Sequence, residues 1–273
     1  MLQIGIDVGG STTKLVGQRP DGSIFGMTQV RAADQVTSLY GAIGTFCRSE
    51  NVQLSDIAEI AITGVGAQLF EDSVYGIPLR HIDEFKAIGR GGLLLSGLDA
   101  AIVVSCGTGT AFVRASGDKT ARIGGIGIGG GTLMGLSHLL LREDDIHRVS
   151  DLASRGNGGN VDLLMSAISR EAIPGLPDSA TASNFGAVNP TTSREDLALG
   201  ITNLVTHSVG MLAVFATLND PDGIRDIVLT GSVAELPQCA AVMTALTAMT
   251  GVRFRITENA PYATAIGALA VVG

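Results

Sequence analysis

The stretch D-V-G-G-S-T-T-K, Asp7 to Lys14, directly follows an apolar run, Leu2 to Asp7, that ends on an acid. β-Branched residues from Thr12 to Gly17 and the P-D-G at Pro20 to Gly22 predict a second strand, a hairpin turn and a third strand over Ser23 to Val30. The theme returns at Ala100. Ala101 to Ser105 reads as an apolar strand, C-G-T-G-T at Cys106 to Thr110 as a tight turn, and Ala111 to Ala115 as a second strand. Ser116, Gly117 and Asp118 then turn into a third strand ending near Ile123. The same strand–turn–strand–turn–strand unit thus occurs twice, roughly 100 residues apart, which marks a duplicated domain rather than a solenoid.

Between the two units the pattern predicts a helix from about Ala33 to Arg48 and a buried strand at Ile57 to Ile62, closed by T-G-V-G-A. A strand near Pro78 to Ile82 then leads into a helix from Glu84 to Ser96. Helices dominate after the second unit: about Gly131 to Arg142, Asp145 to Ser154, Val161 to Ala172, Arg194 to Leu218, Leu236 to Met249 and Ala260 to Val271. Single strands are expected near Asp226 to Leu229 and Val252 to Ile256. Two α/β halves follow, residues 1–98 and 99–273, with a cleft between them.

Composition fits this picture and excludes others. The chain has 273 residues, 45% hydrophobic and 16% charged, enough to bury a core and too apolar for disorder. Its net charge of −8 argues against nucleic acid or an anionic membrane as partner, and 4% aromatics with no Trp argue against a base-stacking surface. Three scattered cysteines, Cys47, Cys106 and Cys239, form neither a disulfide framework nor a zinc site and fit the cytoplasm. The start, M-L-Q-I-G-I-D, has no basic leader, so no signal peptide is expected. The uncharged run from Ile123 to Leu141 is broken by glycines, and Leu197 to Asn219 carries buried-helix polar residues, so neither is read as a membrane span.

The first turn has the chemistry of a phosphate site. Gly9 and Gly10 let backbone N–H groups close on an anion, Ser11, Thr12 and Thr13 add hydroxyls, and Lys14 adds a positive charge. Asp7 is placed to hold Mg²⁺, usually through water. The turn with Thr108 and Gly109 repeats this logic from the other half. Neither turn matches G-x-x-x-x-G-K-[ST], so this is not a P-loop protein. A third cluster, R-I-G-G-I-G-I-G-G-G-T-L-M-G-L at Arg122 to Leu136, meets a helix N-terminus and offers N–H groups to a nucleotide. Arg122 at its edge can pair with a carboxylate. Ser232 in L-T-G-S-V can bond a nucleoside. For a base that deprotonates an attacking hydroxyl, the candidates are Asp7, Glu71, Asp72, Asp83 and Glu84. Asp7 is better used on the metal, Glu71 and Asp72 read as a solvated face, and Asp83 suits a helix cap. The four histidines show no ligand spacing.

These residues resemble the type II pantothenate kinases, in the clan of acetate and sugar kinases, actins and seventy-kilodalton chaperones. The similarity runs through I-D-V-G-G-S-T-T-K at Ile6, T-G-V-G-A at Thr63, I-D-E-F at Ile82, C-G-T-G-T at Cys106 and the glycine cluster from Arg122. It continues through A-S-N-F-G at Ala182, G-S at Gly231 and E-N-A-P-Y-A-T-A-I-G-A-L at Glu258. The resemblance implies duplicated actin-like ATPase domains of ribonuclease H-like fold, and ATP- and Mg²⁺-dependent phosphorylation of pantothenate, the first step towards coenzyme A. It implies Glu84 as the base, and Arg122 with Thr110 beside the substrate. Asp7, Gly9, Gly10, Ser11, Thr12, Thr13, Lys14, Thr108, Gly109, Gly129, Gly130, Gly131, Thr132, Leu133 and Ser232 would hold the nucleotide. It also implies a homodimer, with the long helix from Arg194 as a dimer or core element, and inhibition by coenzyme A or its thioesters.

The chain departs from the family pattern at Ile126, where Thr or Ser is usual, at Ile88, for a small or hydroxyl residue, and at Ala263 and Thr264, where a Ser-Gly pair is common, beside Tyr262 in place of Phe. These departures bear on substrate identity more than on ATP binding. The competing readings are another small-molecule kinase of the clan, an iron–sulfur activator ATPase, which would need paired cysteines, and a non-catalytic nucleotide or coenzyme A binder.

Overall fold

The computed structural model describes all residues except Ala33, Arg170, Ala172, Pro174, Leu176, Asn219 and Gly273. The first half builds β1 (Leu2–Val8), β2 (Thr12–Gln18), β3 (Ile24–Arg31), α1 (Gln35–Glu50), β4 (Ile57–Thr63), a short hairpin β5 (Ser73–Val74) and β6 (Ile77–His81), and α2 (Glu84–Ser96). The second builds β7 (Ala100–Cys106), β8 (Thr110–Ser116), β9 (Lys119–Ile126), α3 (Gly130–Leu141) and α4 (Ile146–Ala153). After these come β10 (Leu163–Leu164), α5 (Met165–Ile168), β11 (Thr181–Ser183) and α6 (Arg194–Leu218). The chain ends with β12 (Asp226–Thr230), α7 (Pro237–Thr250), β13 (Arg253–Ile256) and α8 (Ala263–Val272).

The two main sheets share one topology. Their orders are β3-β2-β1-β4-β6-β5 and β13-β12-β7-β8-β9, so β3-β2-β1-β4-β6 corresponds to β9-β8-β7-β12-β13. In each, an antiparallel three-strand meander is extended by parallel strands, β1 with β4 and β7 with β12. The expected duplication of an α/β unit is therefore present at the level of strand order. Alternation explains the layers. Ile4, Ile6 and Val8 of β1 face α1, where Leu39, Ile43 and Phe46 are fully buried, while Val16 and Ala61 belong to the opposite face with Ala265, Ile266 and Leu269 of α8.

The last helix of each half packs between the sheets. α2 lies on β7, β8 and β9, whereas α8 lies on β1 and β4. The two helices cross at glycines: a Cβ on Gly91 would overlap the Ala263 carbonyl oxygen, and one on Gly267 the Ala87 carbonyl oxygen. Glycine at both positions is what lets the backbones meet, and Glu84 at the start of α2 and Thr264 at the start of α8 line one cavity.

Most expected elements are present, with two differences. The segment expected as a helix from Val161 to Ala172 is instead β10 and the single turn α5, Arg170 and Ala172 lying outside the described residues. Leu163 pairs with Ser183 of β11, and the buried Asp162 carboxylate accepts the Phe185 N–H at 2.9 Å and the Asn203 amide at 3.2 Å. These tertiary bonds override a local helical pattern. The last helix opens as a 3-10 turn at Ala260–Tyr262 around Pro261. Among the described residues α6 is the one helix long and apolar enough to cross a membrane. Ile201, Val205, Val209 and Ala213 bury its inner face in the second core.

Candidate functional site

Two cavities, of about 570 Å³ and 550 Å³, occupy the cleft. Thr12, Lys14, Gly107 and Thr108 line both, so the two β-hairpin turns form the wall they share. The turns touch directly: the Thr108 hydroxyl donates to the Ser11 hydroxyl at 2.9 Å. Lys14 on β2 is 5% exposed, and its Nζ donates to Ser232 Oγ at 3.0 Å, reaching from the first sheet to the 3-10 turn after β12. Burial pushes its ammonium pKa down, while Asp7, Glu235 and Cys106 hold it up.

The first cavity holds the carboxylates. Asp7 is the penultimate residue of β1 and stands opposite Lys14 in the β1–β2 ladder. Burial pushes its carboxyl from an ordinary 3.8 up to about 6, against the opposing pull of Lys14. Glu84 opens α2, whose N-cap is Asp83: the Asp83 carboxylate accepts the Lys86 N–H at 2.8 Å. Asp83 is thus the cap expected of it, and Glu84 is left facing the cavity. Burial, then the charges of Asp7 and Asp83, push the Glu84 carboxyl above its ordinary 4.5. The helix N-terminus favours the charged form, so the net rise reflects burial and two neighbouring acids prevailing over the dipole. Arg122 on β9 faces the same cavity, its guanidinium 5.3 Å from the Phe85 ring centre, a cation–π distance.

A profile of the Fumble family matches residues 100–268. A type II pantothenate kinase of Staphylococcus aureus (strain USA300) is 32% identical over 192 residues, covering 68% of this chain and 67% of the relative. The chain belongs to the type II pantothenate kinase family. Component A of the (R)-2-hydroxyglutaryl-CoA dehydratase of Acidaminococcus fermentans superposes with a TM-score of 0.67 at 20% identity, over 98% of this chain and 96% of that one. A ROK family glucokinase of Streptomyces griseus, solved with glucose and AMPPNP, superposes at 0.60 with 15% identity over 99% of both chains. At these identities the likeness shows the fold alone, the two-domain actin-like ATPase architecture.

In this family member the second cavity is lined by Ser11, Lys14, Thr108, Gly130, Gly131 and Ser232 from the expected nucleotide set. The first takes Asp7, Gly9, Gly10, Thr12, Gly109, Thr110, Arg122 and Glu84. Of the departures from the family pattern, Ile88, Ile126 and Thr264 line this first cavity, while Tyr262 and Ala263 do not.

Several expected residues are placed otherwise. Thr13 is fully buried and its hydroxyl is bonded to Ser38 of α1 at 2.7 Å, because strand alternation turns it away from Thr12 and Lys14. Leu133 is fully buried in the second core. The N–H groups of Gly130 and Gly131 are not free for an anion: they donate to the carbonyls of Gly107 at 2.7 Å and Thr108 at 2.8 Å. A Cβ on Gly129 would stand 2.8 Å from the Thr108 oxygen, so this glycine serves close packing of the helix start on the second turn. The Thr132 hydroxyl donates to Gly127 O at 2.9 Å, and that of Thr110 to Ile128 O at 2.8 Å. Lining residues absent from the sequence-based set include Val65 in the first cavity, and Arg31, Met134 and His147 in the second. Of these, Val65 lies inside T-G-V-G-A and Met134 inside the glycine cluster from Arg122 to Leu136, whereas Arg31 and His147 lie outside every motif.

Proposed function

We propose that this chain transfers the γ-phosphoryl group of ATP to the 4′-hydroxyl of pantothenate, with Glu84 as general base. The observation that carries this reading is one cavity holding Glu84, Asp7 and Arg122 that shares a wall, with Lys14 and Thr108 in it, with a second cavity lined by Ser232. In the reaction the hydroxyl oxygen attacks the γ-phosphorus, the bond to the β,γ-bridging oxygen breaks, the hydroxyl proton passes to Glu84, and ADP leaves. A raised carboxyl pKa suits that task, because a base closer to neutrality takes a proton more readily. Lys14 is placed to meet phosphate charge and Arg122 a substrate carboxylate.

The donor set fits Mg²⁺. Among the described residues no three metal-ligating side chains cluster, and Asp7 is a single buried carboxylate at a strand end, as suits an ion that keeps much of its water. Asp7 would hold it through water, and the ion would neutralise phosphate charge. The two lobes are assigned to residues 1–98 and 99–273, α2 and α8 being exchanged between their sheets. Homodimerisation, inhibition by coenzyme A or its thioesters, a cytoplasmic location and a place at the first step towards coenzyme A follow from the family resemblance. The test is a coupled assay of ADP release with ATP, Mg²⁺ and pantothenate, run beside Glu84→Gln. Pantothenate-dependent turnover that collapses in the variant supports the assignment, and absence of turnover by the native chain refutes it.

A further inference from the structure

We infer that Val65 is a specificity-determining contact, packing against the branched apolar carbon beside the hydroxyl that accepts the phosphoryl group. The inference rests on the reading of pantothenate as substrate, whose reacting CH₂OH is attached to a carbon bearing two methyl groups.

Val65 is 64% exposed and lines the cavity that holds Asp7 and Glu84. Isolated exposed apolar side chains are ordinary. This one is held in place by its backbone. Gly64 has φ +93°, and a Cβ there would lie 2.6 Å from Asp7 Oδ1 and 2.7 Å from the Val8 carbonyl oxygen. On the other side the Gly66 N–H donates to the Val8 carbonyl at 2.9 Å, and a Cβ on Gly66 would lie 2.5 Å from Val8 Cγ1. The turn is therefore wrapped around the end of β1, one residue from contact with Asp7. That puts Val65 at the phosphoryl-transfer end of the cavity. A valine has one side-chain torsion and its backbone is fixed here, so little freedom is lost when a ligand covers it.

The rest of the cavity agrees. Ile88 stands one helical turn beyond Glu84 on the same face of α2, and Ile126 lies across on β9. Glu84 thus shares its cavity with three branched apolar side chains, Val65, Ile88 and Ile126. That setting suits a hydroxyl borne on branched hydrocarbon.

The test compares the native chain with Val65→Ala and Val65→Thr, using pantothenate and its analogue lacking the two methyl groups. Val65→Ala should lower kcat/KM for pantothenate about tenfold, mainly through KM, and by less than about twofold for the analogue, with KM for ATP unchanged. Val65→Thr, of nearly the same volume, should act in the same direction and decides the matter if the Ala variant melts early. Equal losses on pantothenate and the analogue, or none on either, would overturn the role of Val65 while leaving the kinase reading intact. No pantothenate turnover by the native chain would overturn both.

Discussion

Replacing Asp7 by Asn should make the free protein more stable while removing its activity. Burial raises the Asp7 carboxyl from 3.8 to about 6, so at pH 7 the fold holds an ionised group that it would prefer neutral. At about 1.36 kcal/mol per pKa unit, the gap corresponds to about 3 kcal/mol. The neighbouring Lys14 opposes the shift and is already counted in that value. The sign follows from linkage. A carboxyl with a raised folded-state pKa contributes stability fully below 3.8 and loses it as pH rises through about 6. Asn keeps the neutral form's advantage at every pH. Thermal melts of both proteins without nucleotide or divalent metal should show Asp7→Asn higher by roughly 5 °C or more at pH 7 to 8. The difference should shrink as pH falls from 6 towards 4. A variant equal to or less stable than the native chain at pH 7 would show that the site does not penalise the Asp7 charge, and the reasoning would fail. The excess stability would mark Asp7 as a residue kept for function at a cost to the fold.

Glu84→Gln should lower kcat by roughly 10² to 10⁴ while leaving ATP affinity nearly intact, as steady-state kinetics and nucleotide titration would show. In the native chain kcat/KM should fall on the acid side as Asp7, at about 6, and Glu84, raised above its ordinary 4.5, take up protons, and the residual rate of the Gln variant should keep only the Asp7 limb. Gly267→Ala should cost about 3 kcal/mol in urea unfolding, because its Cβ meets the Ala87 carbonyl of α2, and an unchanged midpoint would contradict the tight crossing. Ser137→Ala should leave stability unchanged or raise it by about 1 kcal/mol. The fully buried Ser137 hydroxyl has no partner among the described residues, and Ala is the better helix former.

How far the sequence reads depends on the range over which each feature is decided. The two hairpin turns, the repeat and the helix beginning at Glu84 were legible, because turn chemistry, strand alternation and a cap such as Asp83 act among residues close in sequence. Position narrowed the five acids to Asp83 and Glu84 at a strand end, and the family resemblance singled out Glu84. Thr13 shares a run of three hydroxyls with Ser11 and Thr12, but alternation turns it to the other face of the strand. Its actual partner, Ser38, lies 25 residues away. The helix expected after Val161 failed for a related reason: Asp162 is claimed by Phe185 and Asn203.

Local chemistry thus determined the duplicated α/β architecture, the two phosphate-type turns and the acids at the strand and helix ends. Tertiary structure alone decided which of these groups share a cavity. It exchanged α2 and α8 between the sheets, spent the Gly130 and Gly131 amides on the second turn, and set Val65 in one cavity with Asp7 and Glu84. The physical reason is that periodicity and capping are settled by near neighbours. The direction a side chain faces, and the partner an amide finds, are settled by burial against residues far along the chain.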